Sequence, residues 1–491
     1  MKIIILKIFI LLSICSLAKA ETMRIAVSND NELPYREMAP VQSKLTVLNA
    51  ILGRLLHADI NYDLSSGHLE SFKWDYSKKA YILKLKKNLY FHNGRKVTAK
   101  DLEFSILRGF FSKNRHWFEV FFSNISGIEK VNTQKYTSGL IDGVKVLSDD
   151  SLQVILKKPN PSFLHSITIT YFSLVPIEEL ESDYISWKKY PVGVGPYRVS
   201  KVNTDNSIEL EKVKDSNQKV ILTVNGQEKK SDIILTNIEE NKEVEISSSI
   251  KTTSVTGIFF NYNNPIINDL NFRKAVDLML DRKKLIGDIS LYKENNQFLA
   301  SHFWGRLKET ESQNIKSAKY YLSKVQNLDL KKTYKIPVFN SYFGDGKYGN
   351  YLTQLTNQFK ELGMNIEFYD SKDKFLDKKD NDTLFRIISL GADVMEPLVL
   401  FGLMRGKSPY YPHYPEDKTF DKLFEDAISQ TTQEGKIAKV IKLSRHYYES
   451  RFSIPLFERK LLYGHNSQRI KSLGKQDGGL TFLIEKIEMT K

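Results

Sequence analysis

Cysteine is all but missing from this 491-residue chain; the single one is Cys15. It sits in a segment expected to be removed, so thiol catalysis, thiolate metal sites and disulfides are excluded from the mature protein. Glycine, at 25, is too sparse for a collagen-like repeat, and an aromatic content of 12% argues against disorder. No stretch reaches eighteen consecutive apolar residues, so no transmembrane helix is expected. There is no internal repeat and no low-complexity linker. The nine histidines form neither H-E-x-x-H nor a close pair, which argues against a metal site. G-x-S-x-G is missing as well, and no nucleophile, base and orienting group stand together. No cofactor and no catalytic residue is expected.

What remains is an ordinary globular mixture, 41% hydrophobic and 26% charged. At about 150 residues per domain it has room for roughly three domains or lobes. The first twenty residues form an export signal: Lys2, then an apolar run from Ile3 to Leu17 broken only by Lys7, Ser13 and Ser16, then the small-x-small site Ala18-Lys19-Ala20. Cleavage after Ala20 and a periplasmic location are expected. Lipid attachment at Cys15 is disfavoured because the bulky Ile14 precedes it. Loss of Lys2, Lys7 and Lys19 takes the formal net charge from +14 to +11. Basic residues are scattered among acids in short runs such as Lys78-Lys79, which reads as a solvated surface and not as a nucleic-acid patch.

Along the chain, Met23–Ser28 reads as a buried strand. Leu45, Leu48, Leu52 and Leu55/Leu56 recur at helical spacing, Ala80–Leu85 alternates as a strand, and Thr98 with Asp101 caps a helix over Leu102–Phe111. Strands follow at Ser151–Leu156, Arg198–Val202, Ser207–Lys212 and Ile258–Tyr262. Helical stripes then run through Phe272–Leu280, Phe420–Ile428 and Ile437, Val440, Ile441 and Tyr448, before a strand at Ile454–Phe457. Gly344 to Gly349 fits G-x-G-x-x-G, but export to a compartment poor in dinucleotides makes a glycine-rich strand-to-helix loop the better account. The scattered S-x-x-K matches are what chance supplies in a lysine-rich chain. His92, in the Phe-His-Asn-Gly turn, reads as a structural donor. Asp393 directly follows the apolar run Ile387–Leu390, a place that often faces a cleft. From spacing alone, a cation-receiving carboxylate and a helix-capping one stand level.

Several of these segments together resemble the extracellular solute-binding proteins of bacterial ABC peptide importers, the oligopeptide- and dipeptide-binding type. The likeness is carried by Tyr81–Gly94 with Thr98-Ala99-Lys100-Asp101, by Pro191–Tyr197, by Phe260-Asn261 with Phe272–Val276 and Asp281-Arg282, by Ala392-Asp393 with Pro397, and by Ile454-Pro455-Leu456. Leu390 stands where the family commonly has tryptophan, and Val194 where it has threonine. The resemblance implies an α/β, two-lobed periplasmic-binding-protein fold (type II-like) with an extra α+β subdomain in the N-terminal lobe. Its expected boundaries are 21–44, 171–256 and 466–491 for lobe I, 45–170 for the subdomain and 257–465 for lobe II. It further implies that Asp393 takes a peptide α-ammonium and that the backbone of Leu390 and Gly391 pairs with the peptide. Pro40 and Val41 are candidates for the opposite edge. The implied partners are a small peptide and an inner-membrane ABC permease, with the protein a monomer. A non-peptide solute (sugar, opine or nickel chelate) is the alternative ligand, and a periplasmic hydrolase the alternative class.

Overall fold

In a computed structural model, the described residues are 21–27, 42–59, 63–112, 115–131, 135–160, 162–204, 207–224, 231–235, 245–248, 254–287, 292–339, 351–371, 380–391, 396–406, 413–430, 432–459, 462–474 and 482–490. The strand Glu21–Val27 lies inside a seven-stranded sheet, pairing in parallel with Asp215–Val224 on one side and Ile233–Ile234 on the other. Its Ile25, Ala26 and Val27 are all buried, as strands covered on both faces require. Leu462–His465, Glu245–Ser248, Ile208–Lys212 and Tyr197–Val202 complete that sheet.

A second sheet has six strands in the order Tyr292–Glu294, Ser453–Arg459, Val255–Phe260, Phe385–Leu390, Thr333–Phe339 and Asn365–Ser371. Val255–Phe260 is buried at every position. Thr333–Phe339 and Asn365–Ser371 pair in parallel and are joined through the helix Tyr351–Leu362, a β-α-β unit. The glycine-rich loop 344–349 lies outside the described residues. A smaller antiparallel sheet orders Leu69–Asp75, Ala80–Leu85, Ser151–Ile155 and Val144–Ser148, beside the helix Ala99–Leu107. That helix starts three residues before the expected Leu102, with the expected capping pair at its start: the Thr98 N–H donates to the Asp101 carboxylate at 2.8 Å. It ends early, tightening into a 3₁₀ turn over Arg108–Phe111.

The expected lobe boundaries shift with sheet membership. Val255 and Thr256 make ladder pairs in the second sheet, and Leu462–His465 makes them in the first, so neither 256 nor 465 separates the lobes. Among the described strands the chain therefore passes between the two large sheets twice, and the strands that flank the two passages pair with one another. Glu245–Ser248 pairs antiparallel with Leu462–His465 on the first-sheet side, and Val255–Phe259 with Ser453–Glu458 on the second.

The motifs that carried the resemblance hold this frame together. The His92 Nε2 lies 2.9 Å from the Gly195 carbonyl, and the His92 N–H donates to the Gly193 carbonyl at 2.9 Å, fastening the Phe-His-Asn-Gly turn to the Pro191–Tyr197 loop. The loop in turn lies on the end of the helix Gln42–Leu52, where the Gly195 N–H donates to the Ile51 carbonyl at 2.8 Å. A side chain at Gly195 would collide with the Ala50 and Ile51 backbone, which accounts for glycine there. In the second lobe, Asp281 caps the helix Arg282–Ile286. Arg282 reaches both the Pro455 carbonyl (2.8 Å) and the Asp277 carboxylate (2.6 Å). Arg451 donates to the other Asp277 oxygen at 2.8 Å. A core of Ile258, Phe272, Phe359 and Phe385 lies beneath the second sheet. A separate continuous core runs from Phe118, Phe122 and Phe163 beside the small sheet into Phe298, Phe401 and Tyr447.

Candidate ligand-binding site

The strand Phe385–Leu390 positions the candidate site. Its first four residues are buried and its last two half-buried, so it emerges from the core as it ends. It pairs along its whole length with Val255–Phe260, from Phe385↔Phe260 to Leu390↔Val255. Its other edge meets Thr333–Phe339 at a single register point, Val338↔Ile387. Ser389, Leu390 and Gly391 therefore have no described ladder partner on that side, and Gly391 is exposed. A main-chain edge left open beside a buried strand can accept an extended chain. Beneath it, the Ser389 hydroxyl is 2.6 Å from that of Ser254 and 3.2 Å from that of Thr256, which ties the strand end to the start of the crossing strand.

Across the sheet, the row that contains Leu390 continues through Val255 and Glu458 to Lys293. Glu458 is buried and accepts the Ser301 N–H (2.6 Å) and hydroxyl (2.9 Å). Burial raises its carboxyl above the usual carboxylate range, against the opposing pull of Ser301, Lys293 and Arg306.

Asp393 falls in 392–395, outside the described residues, as do Pro40 and Val41. Of the site residues expected from sequence, the structure places Leu390 and Gly391 next to each other at the open strand end. It adds residues that sequence reasoning missed. Glu396, immediately after that span, caps the helix Pro397–Leu403 by accepting the Leu398 N–H at 3.3 Å. Its other oxygen accepts from Lys436 at 3.0 Å, with both side chains 1% exposed. Lys436 also donates to the Ser162 hydroxyl at 3.2 Å and lies 5.1 Å from the Trp304 ring centre. The available signal was Glu396-Pro397, an acid followed by an N1 proline at a helix start. Among the described residues no group of three or more histidines, cysteines or acids could hold a metal ion, and no helix is long and apolar enough to cross a membrane.

Comparison with known proteins gives this geometry its relatives. The family description "Bacterial extracellular solute-binding proteins, family 5 Middle" matches residues 64–230 and 227–412. The oligopeptide-binding protein OppA of Bacillus subtilis is 23% identical over 417 residues, 74% of each chain. Among solved structures, the ABC transporter substrate-binding protein CtaP from Listeria monocytogenes superposes with a TM-score of 0.77 at 19% identity, over 96% of this chain and 99% of that one. DppA from Helicobacter pylori, in complex with the peptide STSA, superposes with a TM-score of 0.73 at 15% identity, over 96% and 98%. These structures share the expected two-lobed α/β fold. The match to the family description extends over well more than half of the sequence, and the chain belongs to the bacterial extracellular solute-binding proteins of family 5.

Proposed function

We propose that this protein is the peptide-capturing subunit of an ABC importer: a monomer, exported with removal of residues 1–20, that closes its two lobes over a short peptide and presents it to an inner-membrane permease. The observation that carries the reading is the main-chain edge at Ser389–Gly391, which has no ladder partner on one side among the described residues, at the end of a strand otherwise held in the sheet. A peptide bound there through backbone hydrogen bonds is held with little regard to its sequence. Asp393, two residues beyond, receives the peptide α-ammonium, and Pro40 and Val41 offer the facing edge. The reading is supported by the relatives: the Bacillus protein is named for oligopeptides, and the Helicobacter structure contains one. The protein has no reaction of its own; bound peptide leaves as it arrived.

The test is thermal unfolding of the purified mature chain with a pool of free-amine peptides of three to five residues, beside the same pool N-acetylated. At a hundredfold excess over Kd the free-amine pool adds about 2.7 kcal/mol of stability. The acetylated pool adds none, because a buried carboxylate left without its cation is penalised by roughly 3–5 kcal/mol. Asp393→Asn loses the shift. Equal stabilisation by both pools refutes the role of Asp393, no stabilisation by either refutes peptide capture, and shortened peptides in the mass spectrum after incubation refute the non-enzymatic reading.

A further inference from the structure

The subdomain is fastened to the first lobe and also touches the second. Its Phe-His-Asn-Gly turn is bonded to the loop Pro191–Tyr197, which runs straight into the strand Tyr197–Val202 of the first sheet. On its other side it meets the second lobe in three places. The Lys436 ammonium donates to the Ser162 hydroxyl at 3.2 Å. Lys158 pairs with Glu425 at 3.0 Å. The helix Pro397–Leu403 packs against the subdomain helix Arg115–Phe122, within the apolar cluster that contains Phe118, Phe122 and Phe401. Ser162 is tied to the small sheet through Asn160, whose side chain accepts the Ser162 N–H at 3.0 Å and whose carbonyl accepts the Tyr81 hydroxyl at 3.3 Å. Asn124 brackets the Lys158 backbone, accepting its N–H at 3.1 Å and donating to its carbonyl at 2.7 Å. Across the joint, Lys436 belongs to the helix Gln433–Glu449, which leads into the strand Ser453–Arg459 of the second sheet.

When the two lobes part, this joint has to open, and it is built to open without stranding a charge. Lys436 keeps Glu396 of its own lobe at 3.0 Å. Glu425 keeps Arg405, which holds its other oxygen at 3.0 Å and Asp421 at 2.8 Å. Lys158 is already exposed to water. All that Lys436 gives up is a neutral serine, which water can replace. A subdomain carboxylate in the place of Ser162 would weld the two units together instead, because pulling them apart would break a buried ion pair. Polar, partly exposed contacts of this kind belong to interfaces within a chain that come apart.

We propose that this joint is a latch: the subdomain face carrying Lys158 and Ser162 holds the second lobe in the closed position, and its strength sets the fraction of unliganded molecules that are closed. This rests on the reading that the lobes close over a ligand. A ligand retained by the closed form binds with an apparent affinity scaled by that fraction. The subdomain thus tunes how long ligand is held without contributing to the strand end at Ser389–Gly391.

The experiment uses the mature full chain. Small-angle scattering gives the radius of gyration of the unliganded protein, and stopped flow gives the release rate of the free-amine peptide pool. Lys158→Glu sets two acids against each other across the joint. In low salt it raises the radius of gyration and speeds release about three- to tenfold, and about 0.5 M salt erases the effect. Adding Glu425→Gln to Lys158→Glu removes the repulsion and brings both readouts back towards wild type. Ser162→Ala acts in the same direction, about tenfold on release, in low and high salt alike, because its contact is buried. Lys157→Glu makes the same change of charge one residue away, where the partner is the subdomain's own Glu129 at 2.9 Å, and leaves release within about twofold of wild type. If Lys158→Glu and Ser162→Ala both leave the radius of gyration unchanged and release within about twofold of wild type, the latch is overturned while peptide capture stands. A response to Lys157→Glu as large as that to Lys158→Glu overturns it too, because net charge and not the joint is then at work. The scattering needs no ligand, so a wild-type chain that fails to bind the pool refutes the functional reading alone, and the latch is still judged.

Discussion

Replacing Asp277 by asparagine removes one negative charge and almost no volume from the second lobe. The carboxylate is buried and receives Arg282 at 2.6 Å and Arg451 at 2.8 Å, both guanidiniums being less than a tenth exposed. Arg282 also holds the Pro455 carbonyl, and Arg451 the Tyr448 carbonyl at 2.8 Å, so neither can turn to solvent without giving up a second bond. An asparagine accepts through one atom only and aims its NH₂ at the other guanidinium. Of the two buried cations, Arg451 then keeps its contact with the exposed Glu311 and Arg282 its bond to the Pro455 carbonyl. Breaking a buried ion pair by removing one partner costs about 3–5 kcal/mol. At about 2–4 °C per kcal/mol for a unit of roughly 200 residues, Asp277→Asn lowers the melting temperature of the second lobe by about 6–20 °C. Near-ultraviolet circular dichroism reads this lobe through Phe272, Tyr262 and their neighbours. A melting temperature within about 2 °C of wild type refutes the reasoning, for it means that the arginines are solvated or otherwise compensated.

Gly195→Ala drives a methyl group into the Ala50 and Ile51 backbone and destabilises the first lobe by about 1–3 kcal/mol, measured by urea unfolding; an unchanged midpoint contradicts the close approach. His68 is held neutral, its pKa lowered to about 4 chiefly by burial, with the Leu52 carbonyl pulling the other way and His57, Lys86 and His92 adding repulsion. Below about pH 6.5 the unfolded chain takes a proton that the folded chain refuses, so stability falls steadily from pH 6.5 towards 4. The ring keeps some exposure, so the loss from this residue is discounted to about 1–2 kcal/mol. His68→Gln, which keeps a donor for Leu52, flattens that slope in urea melts taken at stepped pH, and an unaltered slope rejects the assignment.

The sequence was most legible where structure is local. Ala80–Leu85 forms a strand over the residues its alternation indicates, and the carboxylate of Asp101 caps its helix. His92 is the structural group its turn implied, and the apolar run before Asp393 forms the strand Phe385–Leu390. Reading failed where distant residues decide. The apolar stripe of Gln433–Glu449 was drawn through Ile437, Val440, Ile441 and Tyr448, yet the buried face is Lys436, Val440, Leu443, Ser444 and Tyr447. A lysine joins that face only because Glu396 neutralises it from forty residues away, a pairing that no periodicity records. Arg451 likewise adopts φ +47, where glycine would be the natural guess, with its guanidinium held by Asp277. The motifs behind the family likeness, His92 with Gly195 and Arg282 with Pro455, are joints of the frame, so they identify the fold and carry little information about the ligand.

The paired passages between the two large sheets restrict the kind of movement the molecule can make. Hydrogen-bonded ladders grip both strands above and below the junction, so neither strand can slip lengthwise past the other without breaking several bonds at once. Sliding is therefore costly and flexing cheap, as in a strip of doubled tape.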